Sequence, residues 1–169
     1  MAILSTMIIG EIFLATQPLS SIELSVMKTY KWDDRFITLA CEVATWSRDP
    51  STQVGCVIVR EDKTVAGLGF NGFPRGMDDG EDLYANREVK YQRVLHAEMN
   101  AVLNSQGPVK GCTAYVSAPT CSNCGLILVQ SGIVRVVVKL SPLAVRWQDS
   151  IDLAKGFYQE AGVGYEERD

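Results

Sequence analysis

Histidine is nearly missing from this chain: His96 is the only one in 169 residues. One imidazole cannot build a Cys2His2 finger or a three-histidine centre, so any metal site must draw on cysteines or carboxylates. No run of about 20 apolar residues occurs, which excludes an ordinary membrane span. No Lys or Arg precedes Lys28, so the positive region of a secretory signal is lacking. Basic residues are outnumbered, 16 Lys plus Arg against 20 Asp plus Glu, for a net charge of −4. That balance argues against a nucleic-acid coat or a membrane-surface binder. Five cysteines form no disulfide framework, because the count is odd and only Cys121 and Cys124 are close together. A reducing, cytoplasmic compartment with one metal site is the simplest reading.

The apolar patch from Met7 to Ala15 is interrupted by Glu11, and Met27 opens a fresh polar segment. Residues 1–26 therefore read as an N-terminal extension, flexible or an arm for a partner subunit, and residues 27–169 as one domain. Asp33 or Asp34 is expected to cap a helix with Phe36, Leu39, Ala40 and Val43 on one face, stopping near Asp49-Pro50. The β-branched run Val54 to Arg60, a polar turn and Thr64 to Phe70 make a hairpin. Asn71 to Gly80 is a loop by composition, and helix returns through Tyr91 and over Leu95 to Leu103. Cys112 to Val116 is a strand, Ser122 to Gln130 a helix, and Val134 to Lys139 a strand buried on both faces. Trp147, Ile151, Ala154 and Tyr158 recur at helical spacing, with Leu153 and Phe157 widening the stripe, and Val163 to Glu166 is a last edge strand. The order predicts a three-layer α/β/α sandwich around a mixed five-stranded sheet.

Two segments carry chemistry. His96-Ala97-Glu98 stands at the start of a helix, and Pro119-Thr120-Cys121-Ser122-Asn123-Cys124 stands where a strand gives way to one. One imidazole and two thiolates are three tetrahedral zinc ligands, leaving the fourth position to water, as in catalytic rather than structural sites. Both cysteines fall at a helix N-terminus, where the dipole favours thiolate. Glu98 is placed to move protons. Cys41, Cys56 and Cys112 fall on apolar faces and read as core. Trp32 and Trp46 flank the first helix and read the same way, and the stripe from Trp147 to Tyr158 reads as core or interface. Arg75, Arg87, Lys90 and Arg93 stand in a mixed charge run, read as a solvated surface or, functionally, a subunit boundary or effector site.

The H-x-E and C-x-x-C pair resembles the zinc-dependent nucleoside and nucleotide deaminases. Within them the chain is most similar to the deoxycytidylate (dCMP) deaminase family, through Ser47-Arg48-Asp49-Pro50, Gly69-Phe70-Asn71-Gly72, Lys90-Tyr91, His96-Ala97-Glu98-Met99-Asn100-Ala101 and Gly111-Cys112. The likeness covers residues from about 30 to 140. It implies a cytidine-deaminase-like fold and hydrolysis of dCMP to dUMP and ammonia, which supplies dUMP for thymidylate synthesis. By the same resemblance one Zn²⁺ is held by His96, Cys121 and Cys124, and Glu98 is the catalytic proton shuttle. Substrate contacts fall to Arg48, Asn71, Ala97, Ser117 and Ala118, with Arg48 on the 5′-phosphate. Gly69, Asn71 and Gly72 are implied effector contacts for dCTP, with Mg²⁺, or dTTP, in a hexamer. Two departures stand out: Phe70 replaces the family's tyrosine, and Thr120 separates Pro119 from Cys121, where it can cap the next helix.

The competing readings are a deaminase that also admits dCTP, a nucleoside deaminase without a phosphate site, and a polynucleotide (tRNA adenosine) deaminase. The last needs a basic groove that a net charge of −4 argues against. A purely structural zinc is opposed by Glu98 and by a ligand set of three.

Overall fold

The computed structural model describes residues 20–169, and side chains other than those of residues 22–30, 143 and 144. Strict alternation along three central strands builds two cores. Cys56, Ile58, Ala114, Val116, Val136 and Val138 face one way, whereas Val57, Val59, Tyr115 and Val137 face the other. They lie on β1 (Gly55–Val59), β3 (Thr113–Val116) and β4 (Arg135–Lys139), flanked by β2 (Val65–Phe70) and β5 (Gly164–Arg168) in the order β2-β1-β3-β4-β5. β1 is antiparallel to both neighbours, while β3, β4 and β5 run parallel.

The first face is covered by α4 (Ala97–Leu103), α5 (Ser122–Gln130) and α6 (Gln148–Ala161), the second by the C-terminal half of α1 (Ser21–Ala44). The mixed sheet between two helical layers is the sandwich expected from the sequence. Two short helices, α2 (Glu81–Ala85) and α3 (Arg87–Arg93), follow the loop after β2, and a 3₁₀ turn over Pro142–Trp147 leads into α6. The chain divides into two compact units, residues 1–31 and 32–169. Of the first, only residues 20–31 are described, as the opening of α1. Residues 1–19 of the extension expected over residues 1–26 lie outside the described residues, and Ser21 to Val26 already belong to α1.

Several local expectations are corrected. Asp33 caps nothing: α1 already runs from Ser21, and it ends at Ala44, well short of Asp49. Asp33 is instead a buried carboxylate that accepts from Tyr115 Oη at 2.7 Å, from Arg135 Nη1 and Nη2 at 2.8 Å each and from Arg168 Nη2 at 2.9 Å. It ties α1 to β3, β4 and β5. Burial alone would push its carboxyl up, but these hydrogen bonds and the two arginine charges hold it below the usual range. Trp32 and Trp46 lie on the surface rather than in the core. On α6 the buried face is Ile151, Ala154 and Tyr158 alone; Leu153 is exposed, and Trp147 sits outside the helix as its cap.

The helix expected through Tyr91 and over Leu95 to Leu103 is two helices. Between them Leu95 pairs with Gly72, its N–H donating to Gly72 O at 2.9 Å and its carbonyl accepting from Gly72 N–H at 3.1 Å. That bridge breaks the helix immediately before His96 and clips the Asn71 loop to it.

Candidate metal centre and active site

Two helix N-termini bring the chemistry together. His96 is the N-cap of α4 and Cys121 the N-cap of α5, with Cys124 in the first turn. His96 Nδ1 lies 3.4 Å from Cys121 Sγ and 3.3 Å from Cys124 Sγ, and the three donor atoms fall within 4.8 Å of one another. Zinc bonds of about 2.3 Å to sulfur and 2.0–2.1 Å to nitrogen at a tetrahedral angle require about 3.6 Å between such donors. The donor set fits one zinc ion. The site is open at one end, since His96 is exposed, Cys121 half-buried and Cys124 buried.

Glu98 is 4% exposed and lies in the first turn of α4, two residues after His96. Burial raises its carboxyl first, and the nearby Cys121 charge adds to this, against the lowering influence of His96. The donors compete for protons in the same way. A hydrogen bond from Cys124, aided by His96, draws the Cys121 thiol down to about 4. Its hydrogen bond with Cys121, with burial and the Glu98 charge, drives the Cys124 thiol up. Two thiolates and a carboxylate in one pocket repel, and a divalent cation at their centre reverses the sign of that field. Cys56 lies buried on the neighbouring strand, its thiol raised by burial and by Glu98.

Ala97 is fully buried at the first position of α4, where helical N–H groups have no intrahelical acceptor. Ser117 and Ala118 follow β3 on the way to Cys121. Ser117 is pinned to β1, its N–H donating to Gly55 O at 3.0 Å and its Oγ accepting from Gly55 N–H at 2.9 Å. Asn71 is buried, its Oδ1 accepting from Val54 N–H at 2.7 Å and its Nδ2 donating to Thr52 O at 2.8 Å. A second lone pair on Oδ1 leaves capacity for a ligand hydroxyl. Gly69 is a packing position: a Cβ there would stand 2.2 Å from Ala101 N and 2.3 Å from Ala97 O, so only glycine lets β2 approach α4 this closely. Gly72 is buried and engaged with Leu95. Arg48 is exposed, 3.5 Å from Asp79.

Two supports were not anticipated. Lys90, expected on a solvated surface, is buried and donates to Asp49 Oδ2 at 2.5 Å and to Ser51 Oγ at 2.8 Å. Asp49 lies 3.5 Å from Asn71 Nδ2, so the pair underpins the Asn71 loop. Thr120 does not cap α5; the cap is Cys121, and Thr120 Oγ1 pairs with Tyr158 Oη at 2.8 Å. No spacing rule connects residues 38 or 41 apart in sequence, and only the apolar context of Tyr158 hinted at its burial.

The family model of the cytidine and deoxycytidylate deaminase zinc-binding region matches residues 30–140. An uncharacterized deaminase in the luxG 3′ region of Aliivibrio fischeri is 39% identical over 135 residues, covering 79% of this chain and 90% of that protein. The deoxycytidylate deaminase of Mus musculus is 34% identical over 145 residues, covering 80% and 78% respectively. In fold, the chain is similar to the dCMP deaminase of cyanophage S-TIM5 solved with dCMP and dUMP, with a TM-score of 0.64 at 22% identity over 90% of this chain and 99% of that one. Among the described residues no helix is long and apolar enough to cross a membrane.

Proposed function

Because the chain belongs to the cytidine and deoxycytidylate deaminase family, we propose that it hydrolyses dCMP to dUMP and ammonia. The observation that carries the chemistry is the buried Glu98 carboxyl beside the His96, Cys121 and Cys124 donors. A zinc ion held by such ligands activates water at neutral pH.

Glu98 accepts one proton of the attacking water and passes it to N3 of the pyrimidine as the oxygen bonds to C4; it then takes the second proton from the new C4 hydroxyl and gives it to the departing amine, so that the C4–N bond breaks to leave a carbonyl and ammonia. Its raised affinity for protons suits a group that must both take and give one. Ala97 N–H donates to the pyrimidine carbonyl, and the carbonyls of Ser117 and Ala118 accept from the 4-amino group. Asn71 Oδ1 accepts from the deoxyribose hydroxyl, and Arg48 contributes charge toward the 5′-phosphate. Regulation by dCTP with Mg²⁺, or by dTTP, and a hexameric assembly belong to the same reading. In it, Gly69 and Gly72 serve through backbone alone and Asn71 through its amide. Five free thiols suit a reducing cytoplasm.

The test is ammonia release by the zinc-loaded protein from dCMP, dCTP, deoxycytidine and CMP, each with and without the triphosphate effectors. Turnover confined to dCMP supports the reading. Equal turnover of deoxycytidine replaces it with a nucleoside deaminase, turnover of dCTP widens the pocket, and silence on all four with zinc bound overturns it.

A further inference from the structure

Two guanidiniums meet on one phenol. Arg87 Nη2 donates to Tyr91 Oη at 3.3 Å, Arg146 Nη2 donates to the same oxygen, and all three side chains are exposed. Trp147 completes the group, edge-on to Tyr91 at 6.4 Å between centroids, with the Arg146 guanidinium 5.5 Å over its ring. Among the described residues neither arginine has a carboxylate partner, although the chain carries 20 acidic against 16 basic side chains. Arg48, Arg135 and Arg168 have one; what sets Arg87 and Arg146 apart from Arg35, Arg60, Arg75 and Arg93, which likewise have none among the described residues, is that both converge on a single neutral oxygen. Like charges held on a neutral acceptor repel. The phenol registers them: burial would raise its pKa, but hydrogen bonding from Arg87 and the charge of Arg146 hold it below the usual value. An anion with several oxygens, placed between two planar forks, removes the repulsion, and that is the chemistry of a phosphoryl group.

The chain ties this group to both halves of the donor set. Tyr91 lies on α3, which ends at Arg93 just before His96. Trp147 caps α6, and one turn on Ser150 Oγ accepts from Ser122 N–H at 3.0 Å, beside Cys121. Arg48 comes from a different segment, after α1.

We propose that Arg87 and Arg146, spaced by Tyr91, are the principal seat of the substrate's 5′-phosphate, with Arg48 a lesser contact. The seat itself stands on the cluster; the identity of its ligand rests on the deaminase reading above. The zinc-loaded full chain is compared with R87Q/R146Q, R48Q and W147F, in two measurements. Steady-state kinetics on dCMP and deoxycytidine should show KM for dCMP rising about 10- to 100-fold relative to that for deoxycytidine in R87Q/R146Q, as loss of charge-assisted hydrogen bonds implies, and less in R48Q. Tryptophan emission titrated with inorganic phosphate should change in the wild type and not in R87Q/R146Q or W147F.

A parallel rise for both substrates, no rise, or a larger effect in R48Q overturns the assignment. Phosphate that alters turnover of deoxycytidine without competing with dCMP assigns the seat to a second ligand and also overturns it. If neither substrate is turned over, the functional reading fails by itself. The phosphate titration then still decides the seat, which is lost if no emission change appears or if the change survives in R87Q/R146Q.

Discussion

Thr120 Oγ1 and Tyr158 Oη lie 2.8 Å apart in a position closed to solvent, one residue before the first thiol of the donor set. The hydroxyl that stands between Pro119 and Cys121 is thus held by the last helix, α6, and the ligand loop is buttressed from behind. Each group is the other's partner, so removing one leaves a buried hydroxyl unsatisfied. Y158F should destabilise the fold by about 1–3 kcal/mol. T120V combined with Y158F should recover part of that loss, because both polar groups are then gone. Denaturant unfolding of the two single variants and the double variant measures the coupling; strictly additive losses would show that the two hydroxyls do not interact.

Asp49 and Lys90 form the second buried support. Burial raises the Asp49 carboxyl, but hydrogen bonds from Lys90 and from the Ser51 N–H and hydroxyl hold it below its usual value. A carboxyl lowered on folding stabilises the protein above its unfolded pKa of about 3.9, and that contribution is lost as pH falls through the folded value. K90M should cost about 3–5 kcal/mol at neutral pH, since it leaves a buried carboxylate unpaired. The Asp49 contribution to pH dependence should then change sign, with part of the loss regained on acidification. D49N/K90M should be more stable than K90M and flatter in acid than the wild type. Unfolding midpoints between pH 3 and 7 give the comparison, and an unchanged acid slope in K90M would refute it.

Glu98 is assigned proton transfer and no metal bond. E98Q should keep one zinc per chain by elemental analysis, while turnover of dCMP falls about 10²- to 10⁴-fold. Loss of zinc together with turnover would make the carboxylate a ligand instead.

C124S should lower zinc content well below one ion per chain, because Cys124 is one of three donors drawn together by two helix starts. The variant should also melt at lower temperature than the zinc-loaded wild type, since metal binding to the folded state stabilises it by mass action. Chelation of the wild type should reproduce the lower melting temperature, and added zinc should restore it. Retention of stoichiometric zinc in C124S would remove that thiol from the site.

The two halves of the site were legible in sequence because each lies at a fixed short spacing: His96 and the proton-transfer candidate Glu98 two apart at one helix start, the donors Cys121 and Cys124 one turn apart at another. The sheet was legible for a related reason, since Val57, Tyr115 and Val137 alternate with neighbours that face the opposite core. Local pattern misled where a polar residue had a distant partner. Asp33 reads as a helix cap until Arg135 and Arg168 are brought beside it. Lys90 reads as surface until Asp49 is, and Thr120 reads as a cap until Tyr158 is.

By itself, then, the sequence determined which two short segments carry metal-donor residues and which faces of the strands are buried, because both depend on spacings of two to four residues, whereas the meeting of His96 with Cys121 and Cys124 was left to the fold. Only the tertiary structure decided which charges are buried and paired, which arginines are left without an acid, and what holds the ligand loop. Those outcomes depend on contacts between residues tens of positions apart, and the free energy of an ionised or hydroxyl group turns on whether such a partner replaces water.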